Sequence, residues 1–106
     1  MASVSLSLSS KINKENGKSE VLLRYRNTRE VALRAKTHVF ILPKYFKDGE
    51  IVIKARVLNN EVRDANLAKT EVERIVRHLI DKGNATPIES FYREWAQEQI
   101  DRLLYP

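Results

Sequence analysis

The chain has 106 residues, 42% hydrophobic and 31% charged, with no cysteine, three glycines and a net charge of +5. That length supports one domain of modest core, with at most a piece of a second. The composition excludes a disulfide framework or a thiolate metal site and fits a reducing compartment, and no segment approaches the roughly 20 apolar residues needed to cross a bilayer. The expectation is a soluble cytoplasmic protein.

Charge is unevenly placed. Residues 1–47 carry ten Lys/Arg against Glu15, Glu20 and Glu30, a net of +7, whereas residues 48–106 carry nine against eleven acids, a net of −2. The positive excess therefore belongs to the half that reads as β-structure, and a basic half points towards nucleic acid.

In chain order, Met1–Ser9 has a faint signal-peptide look but lacks a cationic start and a continuous apolar run. Its Ser/apolar alternation predicts a strand over Ser3–Ser9, with Val4, Leu6 and Leu8 inward and Ser5, Ser7 and Ser9 outward. Lys11–Lys18, with Asn13, Asn16 and Gly17, reads as a polar loop. Glu20–Asn27 and Arg29–Thr37 then alternate as a hairpin about Asn27-Thr28. Successive side chains of a strand point to opposite faces. Val21, Leu23, Tyr25, Val31, Leu33 and Ala35 thus share an apolar face, and Leu22, Arg24, Arg26, Ala32, Arg34 and Lys36 share the other.

His38–Leu42 extends the third strand as far as Pro43, Lys44-Tyr45-Phe46 reads as a helical turn or loop, Asp48-Gly49 as a reversal, and Ile51–Ile53 as a further short strand. A helix is predicted over about Asn60–Lys82, with Leu58, Val62, Ala65, Val72, Ile75, Val76, Leu79 and Ile80 on one stripe and Gly83 at its stop. Thr86-Pro87-Ile88-Glu89 carries a capping-box signal for another helix, followed by an aromatic stripe of Phe91, Tyr92 and Trp95 with no evident partner. The fold class expected is α+β: a three-stranded antiparallel sheet covered on one face by a long helix, plus a C-terminal helix. Residues 1–83 form the domain. Residues 84–106 form a linker and the first helix of a following domain, or pack back loosely on the first.

An antiparallel sheet commonly turns one face to water, but such a face usually mixes signs. Here Glu20 and Glu30 stand near strand ends while Arg24, Arg26, Arg34 and Lys36 occupy the middle. Arginine offers planar bidentate donors suited to phosphate and to guanine O6/N7. Ser5 and Ser7, being small, let the sheet approach a groove closely. Ser5, Ser7, Arg24, Arg26, Arg34 and Lys36 are the candidate binding residues. His38 and His78 lack partners at metal-ligand spacing, and no nucleophile elbow, HExxH or glycine-rich phosphate loop is present, so no metal, cofactor, small-molecule substrate or catalytic role is expected. The aromatic stripe at helical spacing reads as core or interface rather than a base-stacking platform.

Several stretches, taken in order, resemble the N-terminal arm-type DNA-binding domain of tyrosine recombinases (phage integrases), in the form common in Bacteroidetes mobile elements. They are the opening strand Ser3–Ser9, then Gly17-Lys18-Ser19-Glu20-Val21-Leu22-Leu23-Arg24-Tyr25, then Pro43-Lys44-Tyr45-Phe46 with Gly49-Glu50-Ile51-Val52, which resembles a Pro-x-x-Trp…Gly-x-Val segment, and finally Leu58-Asn59 before the long helix. The resemblance covers about residues 3–83, and residues 86–106 resemble the entry to the core-binding domain that follows in that family. Phe46 stands where the family has Trp, and Thr37-His38 where it has Thr-Gly.

The resemblance implies that the sheet is presented to the major groove of double-stranded DNA at arm-type sites, with Arg24, Arg26, Arg34 and Lys36 facing it. It further implies a nucleoid-associated protein that assembles with other recombinase protomers. Family catalysis uses an Arg, a His-x-x-Arg and a Tyr nucleophile. His38-Val39-Phe40-Ile41 and His78-Leu79-Ile80-Asp81 do not supply this motif, and Tyr105 is no candidate, so the chain reads as a non-catalytic part of a larger recombinase. Two alternatives stay open: a double-stranded RNA-binding module, and a protein–protein interaction domain in which the sheet edge or the Phe91/Trp95 stripe docks a partner.

Overall fold

Alternation in the first 41 residues produces a meander. The computed structural model describes residues 2–28, 30–54 and 58–106; Arg29, the expected first residue of the third strand, lies outside them. Strands β1 (Ser3–Ile12), β2 (Ser19–Arg26) and β3 (Ala32–Ile41) form one antiparallel sheet in the order β1-β2-β3. Val4, Leu6 and Leu8 pair with Tyr25, Leu23 and Val21, and Leu23 and Tyr25 pair with Ala35 and Leu33. One face is therefore apolar across all three strands, as the alternation predicts.

Beyond Lys36, β3 holds two residues more than β2 between the Leu22–Lys36 and Glu20–Phe40 pairs. The extra length is a bulge at Thr37-His38, where His38 takes φ 60, in the left-handed region that favours glycine. Thr37, fully buried, anchors it: its hydroxyl donates to the Val21 carbonyl at 2.7 Å and accepts from the Val39 N–H at 3.1 Å. A shift of two preserves side-chain parity, so Val39 and Ile41 remain in the core.

Pro43–Tyr45 forms a 3-10 turn, and Asp48-Gly49 closes a small hairpin between β4 (Phe46–Lys47) and β5 (Glu50–Ile51). Both turn residues have positive φ, 51 and 79, as an Asp-Gly two-residue hairpin requires. The short strand expected over Ile51–Ile53 is thus one residue earlier and shorter, because pairing is set by the turn rather than by the β-branched run. Tyr45 is buried, and its hydroxyl donates to Glu61 at 2.6 Å; Lys44 also pairs with Glu61.

These partners, Lys44 foremost and then Tyr45, hold the Glu61 carboxyl below its ordinary range. A depressed folded-state pKa stabilises the fold above the unfolded value, and that contribution disappears as pH falls through the folded one. Glu61→Gln should therefore lower the melting temperature slightly at neutral pH, the site being exposed. The difference from the wild type should close on acidification, which a pH series of thermal melts would read.

Helix α1 (Asn60–Asn84) starts where Asn59 accepts the Val62 N–H at 2.9 Å; it buries Val62 near that end and sets Ala65, Val72, Ile75 and Leu79 in one core with the sheet. Covering this face keeps a three-stranded sheet from leaving it wet. Leu58, expected on the stripe, is instead 67% exposed, since it precedes the cap and lies off the helix. The helix also runs through Gly83 rather than stopping there. Gly83 is buried, and a Cβ on it would meet the Tyr25 hydroxyl oxygen at 1.7 Å.

Thr86-Pro87-Ile88-Glu89 does not start the next helix. The Thr86 hydroxyl donates back to the Lys82 carbonyl at 2.6 Å, closing α1, and only a 3-10 turn follows at Ile88–Ser90. Helix α2 begins later, at Trp95, and ends at Leu104. Phe91 and Trp95 pack on Tyr25, with ring centroids 5.8 and 5.2 Å from it. Phe91 and Trp95 therefore do find a partner, and Trp95, Ala96 and Ile100 belong to the same core as the sheet. Tyr92 is different: it is 43% exposed and bonds Glu98. The observed architecture is α+β, a three-stranded antiparallel sheet with one long and one C-terminal helix.

Candidate nucleic-acid interface

Register places the polar face in rows. Ser5, Arg24 and Arg34 stand side by side across β1, β2 and β3; Ser7, Leu22 and Lys36 form the next row; Ser3, Arg26 and Ala32 form a third. Directly opposed residues of an antiparallel pair have Cβ atoms about 4.5–5.5 Å apart, so the Arg24 and Arg34 side chains leave the sheet together. All four cations are exposed. Among the described residues, none of them has a carboxylate within ion-pair distance.

Five of the six expected site residues, Ser5, Ser7, Arg24, Arg34 and Lys36, line one shallow depression of about 570 Å³. Arg26 is not in its lining and stands one row away, beside Ser3 and Ala32. The rest of its lining is Leu6, Leu22, Leu23, Ala35 and Gln97. Leu22 was legible from the alternation. Gln97 was not, since no pattern in α2 marks it and it arrives only through tertiary packing.

Gln97 has a defined task. Its Oε1 accepts the Lys36 N–H at 2.8 Å and its Nε2 donates to the Lys36 carbonyl at 3.1 Å. The glutamine thereby occupies one step of the ladder along the free edge of β3, fixing the backbone under a basic residue and covering part of an exposed edge. Neighbouring acids are directed elsewhere. Glu20 accepts the His38 N–H at 3.2 Å, Asp101 meets His38 Nε2 at 3.0 Å, and Glu98 lies near Tyr92 and Arg102. The Arg24/Arg34 row therefore keeps an uncompensated field.

Comparison with protein-family models, curated proteins and solved structures returns no match. The reading of the site accordingly rests on its own geometry.

That geometry offers guanidinium and ammonium donors, serine hydroxyls and one apolar side chain on a surface three strands wide, about 10 Å between the outer strands. Among the described residues there is no cluster of His, Cys, Asp or Glu arranged to hold a metal ion, and no helix is long and apolar enough to cross a membrane. His78 lies on α1, where burial, ahead of the nearby Lys82, pushes its pKa below the ordinary histidine value. The sheet face thus gathers cationic and hydroxyl donors on one surface.

Proposed function

We propose that this chain binds double-stranded DNA through the basic face of its sheet, as the arm-type DNA-binding part of a site-specific tyrosine recombinase. The observation that carries the DNA reading is the Arg24–Arg34 pair, two guanidinium groups directly opposed across β2 and β3 with no carboxylate beside them among the described residues. Like charges in that position destabilise a sheet, and a phosphate or a guanine edge between them reverses the sign of the interaction.

Size supports the duplex. A face about 10 Å wide matches the major groove of B-form DNA, about 12 Å, while the deep, narrow major groove of A-form RNA would refuse it. The recombinase assignment is supported by the family resemblance of residues 3–83 and makes other recombinase protomers the natural co-occupants of the DNA. On this reading the chain itself performs no catalysis and supplies docking to the complex.

Fluorescence anisotropy with duplex DNA, competed by duplex RNA of matching sequence, tests the proposal. DNA should bind with an affinity falling steeply with salt, a log–log slope of about −3 to −4 if all four cations meet phosphates. Equal competition by RNA would replace the DNA reading with the RNA-binding one. Absence of binding to either would leave the protein-interaction module.

A further inference from the structure

Leu22 is out of place. It sits at the centre of the polar face, between Ser7 and Lys36, and lines the same depression as Arg24 and Arg34. Its neighbours within β2, Val21 and Leu23, are buried in the core, but Leu22 is neither in that core nor packed against it. It is partly exposed to solvent and is opposed across the strands by Ser7 and Lys36, with Glu20 and Arg24 two residues away on either side along β2. A face built for phosphate alone would gain nothing from an aliphatic side chain there.

We propose that Leu22 reads a thymine, by contact of its methyl groups with the thymine 5-methyl in the major groove. This rests on the duplex-DNA reading of the sheet face and goes beyond it, from backbone attraction to base selection. Each base pair presents a distinct pattern in the major groove, and the 5-methyl of thymine is its one apolar mark. Of the apolar residues lining the depression, Leu6, Leu23 and Ala35 belong to the opposite, apolar parity of their strands, which leaves Leu22 as the branched aliphatic group on the polar face.

The spacing makes the inference specific. β2 has eight residues and is about 27 Å long, so it cannot lie across a groove about 12 Å wide and must run along it. Leu22 and Arg24 are two residues apart, about 6.8 Å, which equals about two base-pair steps of about 3.4 Å. The site is therefore composite: a guanine or its flanking phosphate at the Arg24/Arg34 row, and a thymine two base pairs away at the Leu22 row, with Lys36 beside it for the adjoining phosphate.

The experiment uses the 106-residue chain and duplexes selected by it from a randomised pool. Each thymine of the selected duplex is replaced in turn by deoxyuridine, which deletes only the 5-methyl, and affinities are measured by anisotropy. One replacement, two base pairs from a guanine that the Arg24→Ala variant no longer selects, should weaken binding about fourfold, the worth of one buried methyl-sized group. Leu22→Ala should bind about as weakly as the wild type does on the uridine duplex, and be insensitive to that replacement. Leu22 lies off the core, so the variant should keep the wild-type melting temperature.

If the wild type binds a selected duplex yet ignores every thymine replacement, or if Leu22→Ala keeps the thymine preference, the inference is overturned while the DNA reading stands. Binding with no sequence selected at all also overturns it. Failure of any duplex to bind overturns both.

Discussion

Replacing Gly83 with alanine is expected to destabilise the protein by about 2–3 kcal/mol. The added Cβ would lie 1.7 Å from the Tyr25 hydroxyl oxygen and 2.6 Å from the ring carbon that carries it. Tyr25 cannot swing away. It is fully buried on the central strand, with Phe91 and Trp95 against its ring. Forcing an extra methyl into such a contact typically costs about 1–3 kcal/mol and occasionally more, whereas alanine recovers at most about 1 kcal/mol of helix propensity.

Tyr25→Phe provides the control. Among the described residues the buried Tyr25 hydroxyl has no hydrogen-bond partner, and the nearby Asn27 amide donates to the Gly83 carbonyl at 3.3 Å. Burial pushes the hydroxyl's pKa up, so it stays neutral. Removing it should leave stability close to unchanged or slightly raised, because relief of the unsatisfied group's desolvation cost offsets the small void left behind. Combined with Gly83→Ala, it should recover part of the loss, since the closest contact disappears while the ring carbon remains. Denaturant midpoints for the two single variants and the double variant would measure this coupling. An additive result would mean that the helix and the tyrosine do not meet as described.

Arg34→Glu should separate stability from binding. It turns the opposed Arg24–Arg34 pair into an Arg–Glu pair, for which cross-strand energetics predict a gain of up to about 1 kcal/mol in stability. The same change removes a donor and sets a carboxylate against phosphate. The double change Arg24→Glu plus Arg34→Glu restores like charges, so its stability should return close to the wild-type level. Its DNA affinity should fall at least about 100-fold, each lost charge-assisted or bidentate contact being worth about 1–3 kcal/mol. Thermal melts and anisotropy on the same samples give both quantities. If the double variant retains affinity within about threefold, the sheet face is not the contact surface and the protein-interaction reading takes its place.

Period-two alternation made the hairpin legible, and it sorted Leu22, Arg24 and Arg26 from Val21, Leu23 and Tyr25 before any pairing was known. Parity is a local property, so it survived even the bulge at His38, where the shift of two leaves each side chain on its face. The Asp48-Gly49 turn and the stripe of α1 were legible for the same reason: φ preference and 3.6-residue spacing act within a few residues of chain. The capping signal at Thr86-Pro87-Ile88-Glu89 misled because it too is local. The Thr86 hydroxyl instead donates back to the Lys82 carbonyl and closes α1, a partner that the local pattern does not reveal.

Strand parity, helical period and composition alone specify which side chains share a face, where the long helix lies and that the positive charge belongs to the β half. Three other features arise from long-range packing. It set Arg24 opposite Arg34 rather than one pair along, which depends on the register of two strands. It brought Gln97 from 61 residues away to hold the Lys36 backbone. It also made Gly83 a contact rather than a stop, through a tyrosine on another element. Each of these joins groups distant along the chain, and no local preference encodes where such groups meet.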